Sequence, residues 1–171
     1  MPGTWLRSIK GLVTGLLLAS AFCSFIIDII MILKVRHYSN TYPPAVVALI
    51  VCSILEWLYV LWLMIMPRSK LFRASSVAAV IGLFTCFSFA CIVATTVLRH
   101  HSKYCDTSLA NNGDLCGVLR GTEGLGWMLF GFNLIYLCLL PVLASGGHWG
   151  RTIHELPYEE KFVDEEKAPA H

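Results

Sequence analysis

Charge is almost absent from four stretches of the chain, Gly11 to Leu33, Ala45 to Met66, Ala74 to Leu98 and Gly124 to Leu143. Each runs for about 20 residues or more, enough for a helix to cross a hydrocarbon layer of roughly 30 Å. Outside them lie residues 1–10, two short connections, the loop 99–123 and a tail from Ser145, none long enough to bury a water-soluble core. The pattern predicts an all-α, integral membrane four-helix transmembrane bundle with short loops. Its membrane domain covers 11–144, between an N-terminus of 1–10 and a tail of 145–171. The first stretch begins like a signal peptide, with Arg7 and Lys10 ahead of it and the small triplet Ala19-Ser20-Ala21 within it. Apolar sequence nonetheless continues through Phe22 to Leu33, longer than a signal core, so an uncleaved anchor helix is expected.

Composition supports this division. Hydrophobic residues make up 56% of the chain and charged ones 14%, against about 25% charged in an ordinary soluble domain; the mean hydropathy is +0.66. A soluble enzyme is not expected on these grounds. The net charge of +2 is scattered, with no basic stripe or zinc-finger pattern, so nucleic acid is not an expected partner.

Four spans place both termini on one side. That side holds Arg7, Lys10, Arg68, Lys70, Arg73, Arg151, Lys161 and Lys167, the other Lys34, Arg36, Arg99, Lys103 and Arg120. The positive-inside rule therefore puts both termini in the cytosol. Five cysteines, Cys23, Cys52, Cys86, Cys91 and Cys138, fall in the spans and count as small apolar residues. Cys105 and Cys116 occupy the second outer loop, flanking the turn-forming Asn111-Asn112-Gly113-Asp114. In an oxidising compartment they form either a disulfide or two unpaired thiols. His100 and His101 beside Cys105 lack the second ligand pair a metal centre needs. No metal or other cofactor is expected. Trp5 and Trp149 are expected at the cytosolic boundary and Trp127 near the outer one.

Small residues recur every fourth position as Gly11, Gly15, Ala19 and Cys23 in the first span and Ala78, Gly82, Cys86, Ala90 and Ala94 in the third. Residues four apart share a helix face, and small ones let another helix approach closely. These rows are expected to be packing faces, either within the bundle or toward a second membrane protein or a second copy. Two carboxylates, Asp28 and Glu56, lie inside the hydrocarbon region, where ionisable groups are costly and point to function by default. Asp28 continues the row Ser20, Ser24; Glu56 shares a face with Cys52, Ser53 and Tyr59. Both are expected to point inward. They fix helix packing as protonated or hydrogen-bonded carboxyls, or line a proton or cation path, for which Thr85, Ser88, Thr95, Thr96 and Asn133 are the other polar candidates, or, for Asp28 near its interface, meet lipid headgroups.

No metalloprotease, disulfide-exchange or nucleophile-elbow motif is present, so no enzyme activity is expected. The acidic tail, with Glu155, Glu159, Glu160, Asp164, Glu165 and Glu166, has too little apolar content to order itself and is expected to be disordered.

Four spans, cytosolic termini, a first outer loop without cysteine and a Cys105/Cys116 pair just before the fourth span resemble the MARVEL-domain tetraspans, most of all their small fungal members. Claudin-like chains carry a Trp and a Cys pair in the first loop, and tetraspanins a Cys-Cys-Gly where this chain has Leu115-Cys116-Gly117. The MARVEL resemblance covers roughly residues 5–145. It implies a non-enzymatic role in lipid-microdomain organisation, membrane apposition or traffic, at the plasma membrane or along the secretory pathway, with the bilayer and other membrane proteins as partners. The alternative from the carboxylates is a small channel or transporter subunit.

Overall fold

The computed structural model of the chain describes residues 2–38, 44–66, 68–69, 71–101, 115–144 and 148–156. Four helices carry the fold: α1 Pro2–Tyr38, α2 Pro44–Ile65, α3 Ala74–His101 and α4 Leu115–Leu143. All four are long and apolar enough to cross a membrane, which makes this an integral multi-pass membrane protein. At 1.5 Å per residue the shortest, α2 with 22 residues, already matches the hydrocarbon thickness.

The helices run up and down. α1 packs against α2 and α4, and α3 against α4 and α2. The polarity of the bundle is inverted relative to a soluble one. Its outer surface is lined by large apolar side chains such as Leu12, Phe22, Leu55, Leu83 and Ile135, while Ser20, Ser24, Asp28, Ser53, Glu56, Ser88, Thr95 and Asn133 are buried. Lipid solvates the first set at no cost, whereas polar groups gain only where another helix offers a partner.

α4 begins nine residues before the predicted start at Gly124. Arg120 and Glu123 interrupt the apolar run in sequence, but Arg99 Nη1 on α3 lies 2.7 Å from Glu123 Oε2. Thr96 Oγ1 also donates to Glu123 Oε1 at 2.9 Å. With its charge compensated by α3, Glu123 sits within the helix rather than ending it. Within the longer α4, Trp127 makes edge-to-face contacts with Phe89 and Phe130.

The tail departs from the expected disorder where it is described; Glu159, Glu160, Asp164, Glu165 and Glu166 lie outside the described residues. Residues 148–156 fold back onto the bundle as two single 3-10 turns, His148–Gly150 and Ile153–Glu155. Arg73 and Thr152 form an antiparallel bridge, in which Ala74 N–H donates to Arg151 O and Ile153 N–H to Phe72 O, both at 3.0 Å. Ile153 and Leu156 supply the burial that holds this segment, Ile153 in the cluster of Phe72, Leu63 and Tyr136 and Leu156 against Ala74, Leu143 and Ala144. Lys10 completes the join, its Nζ donating to Ile153 O at 2.9 Å and Leu156 O at 2.7 Å. The start of α1, the α2–α3 connection and the return segment therefore share one end of the bundle.

Candidate functional site: the buried polar column

Polar side chains from all four helices meet along the bundle axis. Glu56 on α2 and Asn133 on α4 are both fully buried, and Asn133 Nδ2 donates to Glu56 Oε1 at 2.7 Å. One turn farther from the termini side, Cys52 Sγ and Ser88 Oγ lie 3.4 Å apart across α2 and α3. Cys91 lies within electrostatic range of both Cys52 and Asp28. Asp28 on α1 stands beside Thr122 on α4. Above it the Glu123 ion pair and the Thr96 bond close the column. Between Thr122 and Asn133 α4 rises about 16 Å, so Asp28 and Glu56 occupy separate levels with the sulfur and hydroxyl groups between them.

The hydroxyls in the column divide by what they bond. Ser53, Thr85 and Thr95 donate to the carbonyl one turn back in their own helices, Leu49, Ile81 and Cys91, at 2.9, 2.7 and 2.8 Å. These bonds commit the hydroxyl proton to its own helix, so each of these groups has only acceptor capacity left for a neighbour. By contrast, Ser24 Oγ, Thr122 Oγ1, both Asp28 oxygens, Glu56 Oε2 and Asn133 Oδ1 are buried without a hydrogen-bond partner. Such atoms are rare in proteins because each forgoes water without replacement. Here they gather around the two carboxyl groups the sequence singles out.

The other predicted positions fall elsewhere. The Ser20, Ser24, Asp28 row does face inward. The small-residue rows do not form the seams of the bundle. Gly11 and Ala19 on α1 and Cys86 and Ala90 on α3 are exposed, Gly15, Ala78 and Gly82 half-buried, and a side chain added at Gly11, Gly15 or Gly82 would meet nothing within 4 Å. The close approach that sequence spacing assigns to them occurs on α4. There a Cβ at Gly126 would sit 2.8 Å from Ile92 Cγ1, and one at Gly121 3.4 Å from Ile27 Cδ1. Of the loop cysteines, Cys116 lies in the first turn of α4 and Cys105 falls outside the described residues; Cys23, Cys52, Cys86, Cys91 and Cys138 are free thiols.

Thr122, Glu123 and the Cys52/Ser88 contact are column members that sequence reasoning missed. Thr122 and Glu123 lie in what reads as loop, and no periodicity links Cys52 to a residue on a different helix. Among the described residues no group of His, Cys, Asp and Glu is arranged to hold a metal ion. No family model, curated protein or solved structure matches the chain.

Proposed function

We propose that this multi-pass membrane protein is non-enzymatic and organises its surroundings through helix and lipid contacts, as its resemblance to the MARVEL-domain tetraspans implies, with a Cys105–Cys116 disulfide fixing the second outer loop. The observation that supports this reading is the outward exposure of the small-residue face on α3. Cys86 and Ala90 are exposed, Gly82 is half-buried and the space over Gly82 is open, which leaves a shallow surface for a facing helix from a second copy or another membrane protein. Both termini lie in the cytosol in this reading, at the plasma membrane or on the secretory route to it.

Cys86, an exposed free thiol in that face, reports on the contact directly. In isolated membranes, mild oxidation of the parent should yield a Cys86–Cys86 linked dimer. The dimer should disappear with Cys86→Ser and fall severalfold with Gly82→Leu, which fills the groove without touching the bundle. Equal cross-linking through Cys23 and Cys138 would mean random collision and defeat the assignment.

A second reading, a small channel or transporter subunit, is favoured by one observation. Asp28 is fully buried and its carboxyl faces the Thr122 hydroxyl and, among the described residues, no charged partner, as in a carboxyl that takes up and releases a proton or cation. Liposomes holding the parent should be silent to imposed proton and sodium gradients if the carboxyls only fix packing. Flux that Asp28→Asn abolishes would establish the second reading and displace the first.

A further inference from the structure

At the end of the bundle that holds the start of α1 and the α2–α3 connection, a cavity of about 180 Å³ opens between α1, α2, α4 and the return segment. Its walls include Lys10, Gly11, Thr14, Leu63 and Tyr136, so an apolar lining carries a few polar groups. The Tyr136 hydroxyl is among the buried atoms with no hydrogen-bond partner, although the residue is only 1% exposed and Thr14 stands next to it. His154 forms part of the rim and is shared with a second, shallower hollow of about 560 Å³ that reaches Ser69 and Arg68.

Basic side chains stand around these hollows. Lys10 spends two of its three N–H groups on the carbonyls of Ile153 and Leu156, and Arg7 lies within electrostatic range of it. Among the described residues no carboxylate pairs with Lys10, Arg7 or Arg68. Cations at a membrane boundary attract anionic headgroups, whose surface potential acts in the same place. The apolar part continues in the direction a lipid tail would take. Gly11 lines the cavity, and from it the open positions of Gly15 and Ala19 run one turn at a time along the outer face of α1 toward the bilayer centre. A headgroup site that leads into a shallow track of small residues has the shape of one phospholipid, seated with its chain along a helix.

We infer that this end of the bundle holds one anionic glycerophospholipid from the leaflet on the termini side, its headgroup between Lys10, Arg68 and His154 and one acyl chain over Gly11, Gly15 and Ala19. The return segment is part of the site, because the carbonyls of Ile153 and Leu156 orient the Lys10 ammonium. The inference rests on the proposed role for lipid contacts but uses α1, not the α3 face.

The test uses the full chain in nanodiscs of equimolar phosphatidylcholine and phosphatidylserine, followed by native mass spectrometry of the lipid retained after transfer to detergent. The parent should keep one phosphatidylserine per chain, preferred over phosphatidylcholine by about tenfold, the scale expected when one or two basic groups engage the headgroup at about 1 kcal/mol each. Arg68→Gln combined with His154→Gln should bring the preference close to parity. Gly11→Leu, placed in open space and therefore compatible with folding, should lower retention of both lipids. Equal retention of the two lipids by the parent, or parent-like retention by all variants, overturns the proposal. Release of the bound lipid by glycerophosphoserine, the soluble headgroup, would also overturn it by showing an anion site without a lipid track. Cys86 cross-linking measured on the same variants should persist, so a failed lipid site and a failed helix contact give different results.

Discussion

Gly126→Ala should destabilise the bundle by about 2 kcal/mol, the largest effect expected of any single added methyl group, because forcing volume into a packed seam costs about 1 to 3 kcal/mol. The added carbon would meet Ile92 Cγ1 at 2.8 Å, Cδ1 at 3.4 Å and Cβ at 3.9 Å. Ile92 is fully buried and β-branched, so its Cγ1 is held close to the α3 backbone and has no free rotamer to escape into. Either the side chain leaves its well or α3 and α4 move apart along the line that also carries the Arg99–Glu123 ion pair. The measurement is reversible unfolding in mixed micelles. Gly11→Ala and Gly82→Ala, which meet nothing within 4 Å, serve as controls and should be neutral or gain a few tenths of a kcal/mol through helix propensity. Adding Ile92→Ala to Gly126→Ala should cost much less than the two single changes together, because the collision is removed. Strict additivity would show that Gly126 is not a contact point.

That contrast marks where sequence reading is strong and where it stops. The four spans were legible because hydropathy and helix length are local properties, and the inward row Ser20, Ser24, Asp28 because spacing four defines a face. The same spacing cannot say whether a face turns to lipid or to protein when the residues are small and apolar, since both surroundings accept Gly11 and Ala78. For soluble helices water supplies that direction; here the lipid does not. The true seam at Gly126 belongs to a glycine whose only distinction is the isoleucine opposite it on another helix. The early start of α4 was hidden for the same reason: Glu123 reads as loop until Arg99 and Thr96 are placed beside it. In the tail, Ile153 and Leu156 are outweighed by acidic neighbours in any average, yet two buried apolar side chains and a three-residue pairing with Phe72 to Ala74 suffice to fix the segment. The pairing of Glu56 with Asn133 spans 77 residues, and the sequence marks both as intramembrane polar groups without joining them.

Asn133→Leu should reduce stability by about 2 kcal/mol. An interhelical hydrogen bond in a membrane protein contributes about 0.6 kcal/mol on average and at most about 1.7, so loss of the bond alone would be the smaller part. The larger part arises because Glu56 Oε2 already lacks a partner, and removing Asn133 Nδ2 orphans Oε1 too, leaving a fully buried carboxyl with neither oxygen bonded. Stranding a buried polar group costs about 1 to 3 kcal/mol. Glu56→Leu should cost a similar amount for the mirror reason, since Asn133 would then have both its amide N–H groups and its carbonyl unpaired. The double variant, with apolar side chains on both helices, should recover to within about 1 kcal/mol of the parent, because nothing polar is left to strand. Glu56→Gln discriminates further. Its carbonyl can accept the same Asn133 N–H, and its own N–H supplies a donor where Oε2 has no use and Asn133 Oδ1 has no partner, so it should match or exceed the parent. A double variant as unstable as the sum of the singles would mean that the two residues act on the bundle independently. A loss of 2 kcal/mol or more with Glu56→Gln would mean that the negative charge itself, and not the hydrogen bond, is what this level of the column requires.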